Sequence, residues 1–365
     1  MITGRSGRAW GIGHGASRNG RPTSAALLVI GAALVVLLSG CPQRQEIIEQ
    51  TVAAKAQDVA AEAEAGHVPD ELLTWEMIAE IDPGFEEATA VALDAHGALH
   101  VAGDSAVRKF DANGQVEWEL PVGGEPTCLA LDPTPGIICV GLKDRVECYN
   151  GSEQLPALVP QGERTWITSV VSTGTQVFVA DAGNRRILRY DSSGALLGEI
   201  AGKDDARGIP AISVPSPHLD VELAPPTAMA SSYFPSELVL ANPGRRSVQY
   251  HSLADGSLLK SWGEGGNAVE GFGGCCNPTD IALLPDGHVV TAEKGLPRVK
   301  VYSTDGELLS VVVPPEQFSP NTVGIDLDAA YALSANRHII AVLDPERDLV
   351  RLYAEKDGEQ ETVGQ

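Results

Sequence analysis

The sequence predicts an all-β fold, a six-bladed β-propeller. One strand–loop–strand–turn unit recurs six times, flanking strands extend each copy toward four, and the composition suits short strands joined by turns. The clearest copy is VFVADAGNRRILRYDSSG, residues 177–194. Val177, Val179 and Ile187 place β-branched bulk on two short runs, with Ala182, Gly183 and Asn184 between them. Tyr190 closes the second run, and Gly194 ends a turn whose positive φ costs glycine little. Five imperfect copies end at Gly114, Gly151, Gly256, Gly306 and Gly358. With 39 Gly, 24 Pro and 5% aromatics in 365 residues, the chain reads as turn-rich β structure, not as a helical bundle.

The flanking strands complete the unit. Ahead of the hairpins stand TAVAL, PTCLAL, ITSVV, PTAMA, PTDIAL and TVGIDLD. Behind four of them stand QVEWEL, ALLGEI, SLLKSW and ELLSVVV. Each copy carries one aromatic at the end of its third strand: Phe110, Tyr149, Tyr190, Tyr250, Tyr302 and Tyr353, spaced by 39, 41, 60, 52 and 51 residues. That spacing fits blades with loop insertions. The array over residues 88–358 resembles the NHL repeat family, most clearly in ADAGNRRILRYDSSGALLGEI, and less in the first two copies, where the central loop shortens to GDSA and LKDR. The resemblance implies an NHL-like ring of blades.

The ends of the array predict how that ring closes. After Gly358 the chain reads EQETVGQ, without the Leu-Leu that opens the fourth strand after Gly256 and Gly306. Residues 71–78, ELLTWEMI, form such a strand with no hairpin of their own. They are expected to pair with the last blade, which removes its exposed edge.

Ahead of the array, residues 1–40 read as a signal peptide. Four Arg and no acid precede or flank a 16-residue apolar run at 25–40, too short for a comfortable membrane span and suited to a signal h-region. Leu38, Ser39, Gly40 and Cys41 resemble the lipobox of bacterial lipoproteins, which implies lipidation at Cys41. Residues 41–70 then form an Ala/Glu-rich tether, and 71–365 the propeller. The expectation is an exported lipoprotein facing the periplasm or cell exterior, a monomer touching membrane only through its N-terminal lipid. The formal charge of −23 becomes −27 beyond residue 40, so nucleic acid is excluded as a partner by repulsion.

In a propeller, the blade-to-blade connections share one rim with the loops between second and third strands. The longest connections, residues 202–226 and 263–278, would gather Asp181, His218, Asn242, Cys275, Cys276, Glu293 and Lys294 there. Adjacent Cys275 and Cys276 admit three readings: a strained, reducible disulfide, a soft-metal pair with His218 as third ligand, or a packing pair in a long loop. Cys128, Cys139 and Cys148 fall on three successive strands. Pairing Val140 with Val146 puts Cys139 and Cys148 on opposite faces, so all three are expected as buried thiols without a disulfide. Arg145, Arg186, Arg246 and Arg298 recur four residues before an aromatic anchor and either ring an anionic ligand or pair with acids such as Asp181 and Glu293.

No GxSxG, HExxH, Walker or dinucleotide motif is present, so the sequence nominates no catalytic residue and no cofactor. The function expected is a non-catalytic binding or scaffold module for a protein or carbohydrate of the cell envelope. Two rivals stand beside it. One is a metal-dependent lyase or hydrolase, for which Asp181, Asn242, Glu293 and Asp344 are the roughly equivalent polar set. The other is a thiol redox or metal-handling protein using Cys275 and Cys276.

Overall fold

Alternating β-branched runs broken by glycine turns fold into hairpins, and each hairpin gains a strand on either side, so that only the innermost and outermost edges of a sheet lack a partner strand. The computed structural model describes residues 67–225, 235–319, 322–332 and 337–356. The leader, Cys41 and the tether up to residue 66 lie outside the described residues. Among the described residues, no helix is long and apolar enough to cross a membrane.

Six four-stranded antiparallel sheets account for 24 strands. From inner to outer strand, blade 1 is Ala88–Leu93, Leu99–Gly103, Ala106–Phe110 and Val116–Pro121; blade 2 is Pro126–Leu131, Ile137–Leu142, Val146–Asn150 and Glu153–Gln154. Blade 3 is Ile167–Ser172, Gln176–Asp181, Arg186–Asp191 and Leu196–Ala201, and blade 4 is Asp220–Leu223, Glu237–Asn242, Ser247–Ser252 and Leu258–Trp262. Blade 5 is Asp280–Leu283, Val289–Glu293, Arg298–Tyr302 and Leu308–Val313. Blade 6 takes Asp326–Ala332, Arg337–Asp344 and Leu349–Glu355 from the end of the array and Trp75–Ile81 from its start. The inner strands neighbour one another in cyclic order, blade 6 against blade 1 included. The fold is a closed six-bladed β-propeller.

The core lies between blades. One apolar cluster fills each of the six blade interfaces. The six aromatic anchors are all buried, between 1% and 6% exposed. The closing strand runs antiparallel to the last one, Trp75 opposite Glu355 and Ile81 opposite Val350. Trp75 packs between blades 5 and 6, and its indole N–H donates to Ser310 Oγ at 3.0 Å. The strand starts later than residue 71, because Asp70–Leu72 turn as a 3-10 helix while Leu72 and Leu73 pack near Val269 and Val311.

Two expectations are corrected. The inner strand of blade 4 is Asp220–Leu223, not the PTAMA segment, which falls among residues 226–234 outside the described residues. Asp220 takes the place Asp280 holds in the next blade, so the insertion lies inside blade 4, after its inner strand. Cys139 and Cys148 are disulfide-bonded. The hairpin loop is one residue tighter than expected: Leu142 N–H donates to Arg145 O at 2.8 Å and Gly141 faces Val146. This register sets Cys139 directly opposite Cys148 on one face, with Cα atoms 4.0 Å apart. Cys128 remains a buried free thiol.

Candidate functional site

The rim that carries the blade-to-blade connections is built by one repeated device. Where the second and third strands of a blade meet, polar side chains grip the backbone of the connection entering that blade. In blade 1, Asp104 accepts from the N–H groups of Glu86 and Glu87 at 3.2 and 3.0 Å, and Arg108 donates to the carbonyls of Pro83 and Gly84. In blade 2, Glu147 accepts from Gly123 N–H at 2.9 Å and Arg145 donates to Gly123 O at 3.0 Å. In blade 3, Asp181 accepts from Trp166 N–H at 3.1 Å and Arg186 donates to Gln161 O. Asn242 with Arg245, Glu293 with Arg298, and Arg347 held by Asp344 continue the pattern through blades 4, 5 and 6.

This device divides the residues expected at the rim. Asp181, Asn242, Glu293 and Asp344 lie there, yet all four are 0–1% exposed and spent on the scaffold. They do not point into the channel. Three of the four recurrent arginines pair with acids: Arg145 with Glu147, Arg186 with Asp181 at 3.0 Å, Arg298 with Glu293 at 2.9 Å. Arg246 departs from the series. Its φ of +54° turns its guanidinium against Gly265, and Arg245 takes over the grip. Glu293 also pairs with Lys300, and all three charges are fully buried. Burial pulls the Lys300 ammonium down to about 8, against the pull of Glu293.

The other expected residues come together above that triad. Cys275 is exposed, Cys276 is buried, and their Sγ atoms stand 3.0 Å apart as free thiols. Asn277 pins the loop: its Nδ2 donates to Gly273 O at 2.7 Å and Lys294 O at 3.0 Å, and its Oδ1 accepts from Lys294 N–H at 2.9 Å. Lys294 Nζ reaches across to the other long connection and donates to Ser216 Oγ at 2.6 Å. His218 lies in the same neighbourhood; burial first, then the Lys294 charge, lowers its imidazole to about 4. Burial raises the Cys276 thiol, as does its hydrogen bond with Cys275, while Ser216 and Lys294 oppose the rise. Among the described residues, no three His, Cys, Asp or Glu side chains form a group that could hold a metal ion.

Compared with known proteins, the chain matches no family model and no curated protein. The reading of the rim therefore rests on its own chemistry.

Sequence reasoning missed a second polar feature, in the channel. A central cavity of about 210 Å³ is lined by the inner strands of all six blades. The position held by Asp280 in blade 5 is Ala90, Cys128, Ser169, Asp220 and Asp326 in blades 1, 2, 3, 4 and 6. Each of these aspartates accepts from the inner strand of the following blade: Asp220 from Ile281 N–H at 2.8 Å, Asp280 from Leu327 N–H and Asp326 from Val91 N–H, both at 2.7 Å. Asp328 does the same with Leu93 N–H at 2.6 Å. Burial raises all of these carboxyls and Glu222, Asp220 and Asp328 to about 6, and Asp220 and Asp280 hydrogen-bond each other. The signal was in the sequence: DVEL, DIAL and DLDA place an acid first in the inner strand of three consecutive blades. Ser216 and Asn277 had no such signal, since neither recurs.

Proposed function

We propose that this chain is an exported, lipid-anchored propeller of NHL type that binds a protein or carbohydrate partner of the cell envelope through its connection-bearing rim. The observation that carries the reading is the Lys294–Ser216 hydrogen bond. Asn277 of the 263–278 connection ties down the Lys294 backbone and Lys294 in turn bonds Ser216 of the other long connection, so the three segments form one surface fixed beforehand by the buried grips beneath it. A partner meeting such a surface orders little backbone on binding, so more of the contact energy appears as affinity. The buried Cys139–Cys148 disulfide supports export, because such bonds persist in oxidising compartments. The leader and the Leu38–Cys41 tetrad support the anchor.

Photo-crosslinking in intact cells tests the binding role. A crosslinker at exposed Asn267 or Pro217 is expected to capture one discrete partner, and one at Asp305 on the opposite rim none. Equal capture from both rims, or none from either, overturns the rim. For the anchor, Cys41→Ala is expected to abolish incorporation of labelled fatty acid; retained label overturns it.

A further inference from the structure

We propose that Cys275 and Cys276 form a reversible dithiol–disulfide couple that exchanges with small aliphatic disulfides, Cys275 attacking and Cys276 resolving. This activity is independent of the binding role of the rim.

Position separates the two sulfurs into these roles. Cys275 is exposed and its flank is open: a Cβ built on Gly274 meets no atom within 4 Å. Cys276 is 7% exposed and sits 3.0 Å behind, Sγ to Sγ. The loop cannot swing the pair apart, because Gly273 N–H is held by Glu293 and Asn277 ties Gly273 to Lys294. Burial keeps the proton on Cys276, whose sulfur lies within hydrogen-bond reach of the Cys275 sulfur. The other three described cysteines are buried away from any thiol in solution.

The chemistry balances without a cofactor. The Cys275 thiolate attacks one sulfur of a disulfide RS–SR; a mixed disulfide forms and one RS⁻ leaves with the bonding pair and takes a proton. Cys276 then gives up its proton, with the Lys294 ammonium and the Ser216 hydroxyl beside the nascent thiolate, and attacks Cys275 Sγ. The second RS⁻ leaves and is protonated. Two protein thiols are oxidised and one external disulfide is reduced to two thiols. Neighbouring Cα atoms are about 3.8 Å apart across a trans peptide, below the roughly 4.4–6.8 Å of ordinary disulfides, so the closed ring is strained and readily reopened by thiols. The pair therefore cycles where an ordinary bridge would stay shut. A metal needing a third protein ligand is less well served, since no third ligand converges on the two thiols among the described residues.

Purified reduced protein is treated with oxidised glutathione, quenched by alkylation and digested with trypsin. Cleavage after Lys260 and Lys294 releases both cysteines on one peptide that holds no other cysteine. The expected product lacks both thiol hydrogens, carries neither alkyl group nor glutathione, and returns to the dithiol with dithiothreitol. Cys276→Ser is expected to stop at a glutathione adduct on Cys275, and Cys275→Ser to leave Cys276 unmodified while folded. Lys294→Gln is expected to slow ring closure severalfold. A stable glutathione adduct in the wild type, ready modification of Cys276 in Cys275→Ser, or no reaction at either sulfur overturns the proposal. Unchanged thermal melting of the variants verifies that the fold persists.

Discussion

Glu293 shows how much one side chain carries at this rim. It holds Gly273 N–H, Arg298 and Lys300 while 1% exposed, so two buried cations depend on one carboxylate. Glu293→Gln is expected to cost about 3–5 kcal/mol in denaturant unfolding, because it leaves those charges unneutralised in the interior. Arg298→Met should cost far less, about 1 kcal/mol or below: Arg298 Nε and Nη1 have no partner, and Lys300 still neutralises Glu293. Equal losses from the two variants would contradict this division. The types and spacing of the grip residues were legible in the sequence, as Asp181 and Arg186 show. Their burial was not, because nothing local says that an incoming connection will lie over them. The disulfide was lost to a single residue of register, since slipping one strand by one position moves Cys148 to the other face.

Among elements, the inner strands behave least like the others. Their channel edge has no neighbouring strand within the blade, and Asp220, Asp280, Asp326 and Asp328 supply acceptors to the following strand instead. Carboxyls raised by folding bind more protons folded than unfolded at pH above about 4, so their contribution falls as pH rises through about 6 and beyond. His100 and His218, lowered to about 4 by burial, act oppositely: the fold binds fewer protons, and stability drops as pH falls from about 6.5 toward 4. Asp280→Asn separates the two effects. Its amide oxygen still accepts from Leu327 and its NH₂ still reaches Asp220, with no proton to take up on folding. Its melting temperature is expected to exceed that of the wild type at about pH 8, the gap closing toward about pH 4. A pH-independent gap would remove the channel carboxyls as the cause. The inner strand of blade 4 was misplaced in sequence because PTAMA imitates the Pro-Thr opening of PTCLAL and PTDIAL. The aspartate, not the Pro-Thr, marks the strand.

For the whole molecule, closure decides stability. Trp75 is 6% exposed between blades 5 and 6, and Trp75→Ala is expected to cost about 3–5 kcal/mol and to lower the melting temperature of the entire ring in one transition. Appearance of a separate early transition instead would mean that blade 6 melts alone. That the seam would be sealed by the segment around Trp75 was legible, since the missing outer strand at one end and the spare one at the other are both counts of repeats. The number of blades was legible through the six aromatic anchors and their spacing. The join at Ser216 and Lys294 was not, because Ser216 lies in a connection outside the repeats and nothing local pairs it with the blade 5 loop that carries Lys294. The seam also orders events in time. Among the described strands, the one that locks the disc is synthesised first, and its partner at Leu349–Glu355 last. Until translation reaches that partner, the opening strand has no mate and its backbone edge stands unpaired, the kind of exposed edge that invites association between nascent chains.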